Sequence, residues 1–402
     1  MKSSPRALAA RWLSPLLIVL YYSRYRKLKK LVSNSLQNPF DVFLFFPAYH
    51  MGGAEKIHLE ILRSIARYRK LTFIVHKSAS SILKKEFEKS SDGFIDFHAV
   101  GNHPYFRRRL TKLLAKQFNK LRTPCTIFGC NAAIFYDVAD LVNNPLIKTV
   151  DLIHAFSPYI NGIENRAVKS VYKLEQRITI NKRTKEDLAE QYRRHSIPAS
   201  YLDRVSIIYN PLGLACPQLN KQPAPPYRCL WVARGSKEKR PWLFVDIAKR
   251  SRELGLPFSF SMVGDVEGMI QNDASEYVRL FGPIHDSSKL NEVYQSHDIL
   301  ITTSVYEGFP LTITEAVCNG LVNISTNVGG IGEHLHHRIT GLLAEDDADE
   351  KKVTEGLVNC LQQVVEQPEL FTDLYRASRD YFINTFSDED FRKKYLAVLI
   401  HE

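Results

Sequence analysis

Two carboxylates stand eight residues apart in Ser304–Gly332, SVYEGFPLTITEAVCNGLVNISTNVGGIG: Glu307, followed at once by Gly308-Phe309-Pro310, and Glu315. An ionised carboxylate accepts hydrogen bonds from two hydroxyls at once, and its charge favours a neighbouring carbon that becomes electron-poor. The segment reads as the end of a strand, a turn and a helix, with Pro310 at the expected first helical position and Gly320 just past the helix end. The amides of Gly308 to Thr312 would then form an anion site that suits a diphosphate. Paired acids that cleave a glycosidic bond sit roughly 5 to 9.5 Å apart across that bond. Eight residues along a helix axis come to about 12 Å, so Glu307 and Glu315 are expected to grip different parts of one elongated ligand.

The elements that must carry these residues alternate. Asp41–Phe46 (DVFLFF) reads as a buried strand, 54–68 as a helix, and 71–76, 126–128 and 148–153 as further strands. Such alternation predicts a parallel sheet covered by helices on both faces. Residues 214–226 carry Pro217, Pro223, Pro225 and Pro226 and read as a linker. After it the pattern restarts, with strands at 229–232, 258–263, 298–302 and 321–325 and helices at 241–254 and 288–296. The expected fold is α/β: two Rossmann-like, doubly wound domains, 41–213 and 227–384, facing across a cleft where ligands meet the carboxyl ends of the strands. Residues 385–402 read as a C-terminal helix that returns to the first domain, with Ser387 as its cap.

The chain has 402 residues, 54 Lys plus Arg and 43 Asp plus Glu, for a net +11. That charge is local. Residues 1–40 hold eight cations and no acid, residues 97–136 hold seven and no acid, and the remainder carries −4. Two basic patches on a mildly acidic chain argue against a nucleic-acid binder. The ordinary proportion of apolar and charged residues excludes disordered and polytopic membrane classes. Six scattered cysteines without C-x-x-C fit a reducing compartment and give no spacing for a zinc site. No G-x-G-x-x-G follows the first strand of either domain, which removes a nicotinamide-dependent dehydrogenase.

Within the first patch, Trp12–Tyr22 is apolar but at about 1.5 Å per residue reaches only half of a hydrocarbon core. It would lie at a membrane interface or pack on the protein itself. In the second, 105–122 (YFRRRLTKLLAKQFNKLR) is a basic amphipathic helix, whose apolar stripe either packs on the core or meets a membrane. Its cations would attract anionic lipid or a phosphorylated acceptor.

The chain from about 41 to 385 resembles the retaining nucleotide-sugar glycosyltransferases of family 4, which have the GT-B fold. Glu307 to Glu315 looks like the family's pair of acids separated by seven residues. Arg234 and Lys239, in VARGSKEKRP, look like its basic pair, although Ala233 and Arg240 stand where the family commonly has glycine. Gly264-Asp265 resembles the turn after the next strand, and Asn327 to Glu333, with Gly329 and Gly330, the glycine-rich loop beside the donor. Gly52-Gly53-Ala54-Glu55 resembles the glycine loop of the first domain, and His154, in VDLIHAF, lies where the family has a histidine near the reacting carbon. The resemblance implies that Glu315 holds the ribose, Glu307 the donor sugar, and Arg234 and Lys239 the diphosphate. Gly308, Phe309, Pro310, Leu311, Gly52, Gly53, Gly264, Ile284, Gly329 and Gly330 would complete the donor site, with Glu307, His154, Arg234 and Lys239 catalytic. The implied function is metal-independent, cofactor-free transfer from a UDP- or GDP-sugar to a lipid-linked glycan, lipopolysaccharide or surface polysaccharide. The enzyme would be cytoplasmic, held peripherally at the membrane by 1–40 and 105–122, without nucleic acid. The alternatives are an epimerase or hydrolase on the same fold and a non-catalytic carbohydrate-binding scaffold.

Overall fold

The computed structural model describes residues 15–101, 103–156, 162–219, 221 and 223–401. Seven strands form the first sheet: β1 (Val42–Phe46), β2 (Lys70–Ile74), β3 (Gly93–Asp96), β4 (Cys125–Cys130), β5 (Ile147–Ile153), β6 (Gln176–Thr179) and β7 (Val205–Ile207). Their order is β3-β2-β1-β4-β5-β6-β7, all parallel. The second sheet has β8 (Tyr227–Val232), β9 (Phe258–Val263), β10 (Val278–Gly282), β11 (Ile299–Thr302), β12 (Val322–Thr326) and β13 (Leu342–Ala344), in the order β10-β9-β8-β11-β12-β13. In both, the chain starts near the middle, winds to one edge and then to the other, so loops after the central strands open at one end of the sheet.

β1 is an uninterrupted apolar run because helices cover the sheet on both sides. All five residues of VFLFF in β1 are buried. One face packs against Ile57, Leu59, Ile61 and Leu62 of the helix Gly53–Ser64. The other packs against Phe106, Leu110, Leu114 and Phe118 of the helix Pro104–Phe118. The apolar stripe of that basic helix is therefore consumed by the core, and the helix ends at Phe118 rather than running to 122. Arg108, Arg109, Lys112 and Lys116 stay exposed, while Arg107 pairs with Asp137. The helix Pro15–Ser35 lies against it, with Tyr21 and Tyr25 on Phe106 and Val32 fully buried. No helix among the described residues is long and apolar enough to cross a membrane; Trp12, Leu13 and the rest of 1–14 lie outside the described residues.

β5 carries a charge into the first core. Asp151 and Arg177 are both buried, joined by three hydrogen bonds of 2.8 to 3.1 Å, with Tyr136 and Tyr192 donating to or accepting from the pair. The helix Pro368–Thr385 packs on the second sheet, and then the chain crosses back. Phe391, Tyr395, Val398 and Leu399 of the helix Asp388–Leu399 insert beside Ile57 and Phe128 of the first half. Ser387 caps this last helix by accepting from the Asp390 amide at 3.2 Å.

Candidate functional site

A cleft of about 470 Å³ opens between the carboxyl ends of the two sheets. Its walls bring together Gly52, Gly53, His154, Arg234, Lys239, Glu307, Gly308, Phe309, Pro310, Leu311 and Glu315. A volume of this size takes a ligand as large as a nucleoside diphosphate with a sugar.

The central turn joins β11 to the helix Leu311–Cys318. Pro310 is the residue before that helix, with extended backbone, rather than its first helical position. At the other end Leu321 N donates to Ala316 O and Gly320 N to Val317 O, a Schellman closure that Gly320 permits with a φ of +81°. Close approach explains the glycines around the turn. A Cβ on Gly308 would lie 2.0 Å from the His154 carbonyl, and one on Gly329 would lie 1.8 Å from the Glu307 carbonyl. Gly329 and Gly330 thus support the turn from behind. Gly264 and Ile284 also lie outside the cleft lining, Ile284 against the core of the second half.

Each acid is held by a lysine and a hydroxyl. Glu307 Oε1 takes both the Lys239 ammonium and the Ser304 hydroxyl, the latter at 2.6 Å. Both contacts fall on one oxygen, so the lone pairs of Oε2 stay available to hydroxyls in the cleft. Glu315 Oε1 accepts from Lys56 Nζ at 2.7 Å and Oε2 from the Tyr294 hydroxyl at 2.9 Å. A carboxylate has about four acceptor positions, so two remain for a vicinal diol. Lys56 comes from the first half and Tyr294 and Glu315 from the second, so this carboxylate also ties the two halves together. The contact with Glu315 and full burial push the Tyr294 phenol well above its ordinary range, burial being the larger cause.

The two cations of the VARGSKEKRP loop differ. Lys239 is mostly buried against Glu307, whereas Arg234 is largely exposed, 3.7 Å from Glu238, and reaches over the cleft. Arg240 has a φ of +46°, left-handed backbone where glycine is at ease. Its buried guanidinium compensates by donating to the carbonyls of Thr303 and Ser304 and to Asp346 at 2.6 to 2.9 Å. The departure at 240 therefore keeps the loop conformation and anchors it to the end of β11.

His154 lines the cleft, and burial lowers its imidazole to about 4, so it is neutral near pH 7. Glu55 lies outside the cleft lining. Burial raises its carboxyl, and it faces His50 Nε2 at 3.4 Å.

Four contributors were not read from the sequence. Asn181 caps the helix Lys182–Arg194 by accepting from Thr184 N at 2.6 Å, and its amide donates to Gly308 O at 3.0 Å across the cleft. Its place at a strand end before a polar helix start was a readable cap signal. Lys56 directly follows the loop Gly52-Gly53-Ala54-Glu55 and was within reach of the same reasoning. Ser304, in the loop after β11, and Tyr294, on a buried helix face, gave no signal, because a single hydroxyl in either place looks like any other packed position.

Among known proteins, 22% identity over 272 residues links the chain to an uncharacterized 41.2 kDa protein in the cps region of Klebsiella pneumoniae, covering 64% of this chain and 72% of that protein. The amylovoran biosynthesis glycosyltransferase AmsK of Erwinia amylovora is 27% identical over 137 residues, which are 31% of this chain and 33% of AmsK. Residues 226–363 match the family Glycosyl transferases group 1. The matched segment holds Arg234, Lys239, Glu307 and Glu315. Anabaena HepE in complex with UDP-glucose superposes with a TM-score of 0.67 at 15% identity, over 89% of this chain and 99% of HepE. The lipopolysaccharide outer core galactosyltransferase WaaB superposes at 0.65 and 16% identity, over 89% and 99%. The two parallel sheets with a cleft between them are the GT-B fold.

Proposed function

We propose that this protein is a retaining, family 4 glycosyltransferase that moves a sugar from a UDP- or GDP-sugar to a lipid-linked glycan, lipopolysaccharide or surface-polysaccharide acceptor. The observation that carries the reading is the arrangement of two half-satisfied carboxylates, Glu307 and Glu315, with Lys239 and Arg234 beside them on the wall of one cleft. The ribose diol is assigned to Glu315, the donor-sugar hydroxyls to Glu307 Oε2, and the diphosphate to Arg234, Lys239 and the amides at the start of the Leu311 helix. As the bond from the sugar carbon to the phosphate oxygen breaks, negative charge grows on that oxygen. Preorganised donors at such a place are each worth about 3 to 4 kcal/mol. The acceptor oxygen forms the new bond on the same face, and its proton passes to the departing phosphate oxygen, so the configuration is retained without a carboxylate nucleophile. In this reading the lysine and arginine supply the positive charge, and no metal or cofactor is invoked. HepE with UDP-glucose and WaaB support the donor and acceptor classes by likeness of fold.

The acceptor's surroundings are assigned to the first half and its basic helices. Arg24, Arg26, Lys27, Lys29 and Lys30 of the first helix are exposed beside Leu20, Tyr22 and Leu31, and Arg108, Arg109, Lys112 and Lys116 follow on the helix it packs against. Such a surface docks on the anionic cytoplasmic face of a membrane. Co-sedimentation with phosphatidylglycerol vesicles should fall as salt rises and on neutralising Arg108, Arg109 and Lys112 together. Binding that ignores both changes contradicts membrane docking by charge. The transfer itself is tested by incubating the purified protein with nucleotide sugars and reading the anomeric configuration of the product by NMR. Retained configuration, undiminished by a chelator, supports the reading; inversion, or donor hydrolysis as fast without acceptor as with it, refutes it.

A further inference from the structure

Behind His154, beneath the residues that line the cleft, lie two reactive groups that the proposed transfer does not use. His58, on the helix Gly53–Ser64, and Cys130, the last residue of β4, are both fully buried. His58 Nε2 lies 3.0 Å from His154 Nε2 and 3.1 Å from Cys130 Sγ. The His58 ring stacks on Phe46 with centroids 4.4 Å apart, and its Nδ1 has no partner among the described residues.

Three ligand-type atoms so close raise two readings, an ion or a proton. Around a tetrahedral zinc, with bonds of about 2.0 Å to nitrogen and about 2.3 Å to sulfur, two nitrogens stand roughly 3.3 Å apart and nitrogen and sulfur roughly 3.6 Å. Both contacts here are shorter, as in direct hydrogen bonding. A metal-bound imidazole also anchors its second nitrogen on an acceptor, and His58 Nδ1 has none. The proton reading closes instead. Burial keeps both imidazoles neutral, so each ring carries a single N–H. Placing the His58 proton on Nδ1 would strand a buried donor, which folded proteins avoid more strictly than an unfilled acceptor. The proton therefore sits on Nε2 and is donated to His154 Nε2, with the Cys130 sulfur as a weaker second acceptor. An accepting Nε2 is unprotonated, so the His154 proton is on Nδ1.

We propose that His58, with Cys130 beside it, is a positioning residue that fixes His154 as its Nδ1-protonated tautomer. The remaining polar atom of a ring that lines the cleft is then a hydrogen-bond donor to the bound sugar, and His154 is excluded as a base. The tautomer follows from the contacts and from the burial that keeps both rings neutral; its consequence for the sugar rests on the glycosyltransferase reading. The test keeps the two apart. Protein labelled with 15N at histidine is examined by long-range proton–nitrogen NMR near neutral pH, with His154 assigned from a His154→Gln variant. Protonated-type Nδ1 and bare Nε2 signals for His154 are expected, and the reverse pattern overturns the proposal whether or not any sugar is transferred. His58→Phe keeps the stack on Phe46 but loses the donor. It should lower kcat roughly ten- to a hundred-fold with little change in donor KM. His58→Gln, whose amide donates, should recover most of the loss. An unchanged kcat in His58→Phe, or one stoichiometric metal ion in the purified protein that is lost in Cys130→Ser, counts against it.

Discussion

Arg240 shows how a residue that departs from a family pattern keeps the local structure. A left-handed φ is disfavoured for a side chain by about 1 to 2 kcal/mol, and here three donations from a buried guanidinium offset it. Arg240→Ala keeps the backbone strain and loses the hydrogen bonds, whereas Arg240→Gly loses the hydrogen bonds but also relieves the strain. Urea unfolding should therefore find Arg240→Ala less stable than the parent by about 3 to 4 kcal/mol and Arg240→Gly less affected by about 1 kcal/mol. Equal losses would remove backbone strain from the explanation. At this scale the sequence was legible where several residue types had to coincide, as at Glu307, Glu315, Arg234 and Lys239. It was not legible at Tyr294 or His58, whose roles come from what lies across a packed interface.

Elements were legible where a strand ran apolar throughout, as in β1, and less so at sheet edges. β3, β7, β10 and β13 have three to five residues each, many of them only half-buried, and are too short to give a clear alternating or continuous signal. The basic helices illustrate the limit in another way. Amphipathic spacing shows that a helix has an apolar face, but the same stripe can serve a core or a membrane. The structure places Phe106 of the helix Pro104–Phe118 against Tyr21 and Tyr25, which decides for the core. Phe106→Ala removes the ring that both tyrosines pack on. It should lower stability by about 3 to 5 kcal/mol and expose the helix Pro15–Ser35 to proteases before the rest of the chain. A helix that stays protected in that variant would show that it is held by other contacts.

For the whole molecule, the opening of the cleft and the crossing of the last helix follow from one topology. Both sheets present the carboxyl ends of their central strands to one cleft, and the helix Asp388–Leu399 returns to the first half, so the halves are joined twice. Two of the ties between them, Lys56 with Glu315 and Asn181 with Gly308, end on the turn after β11 and on the helix that follows it. Burial also gives the molecule a pH dependence. His154 and His334 are each lowered to about 4, and His58 well below its ordinary value, so each is neutral when folded but gains a proton near 6.5 when unfolded. The unfolded chain therefore binds more protons as pH falls from 6.5 toward 4. Stability should decline over that window by at most about 1.4 kcal/mol per pH unit for each histidine, as urea midpoints would show. A flat profile there would mean that these rings are not buried in solution.

The claim on which the rest depends is that the cleft wall carrying Glu307, Arg234, Lys239 and Glu315 performs sugar transfer. Release of nucleoside diphosphate from a panel of UDP- and GDP-sugars, measured with extracted glycolipid as acceptor, tests it most directly when the parent is compared with Glu307→Ala and Arg234→Ala. Loss of an interaction made at the transition state should lower kcat by about a hundred- to a thousand-fold in either variant while both stay folded. Turnover that is unchanged in both variants would contradict the assignment of the site.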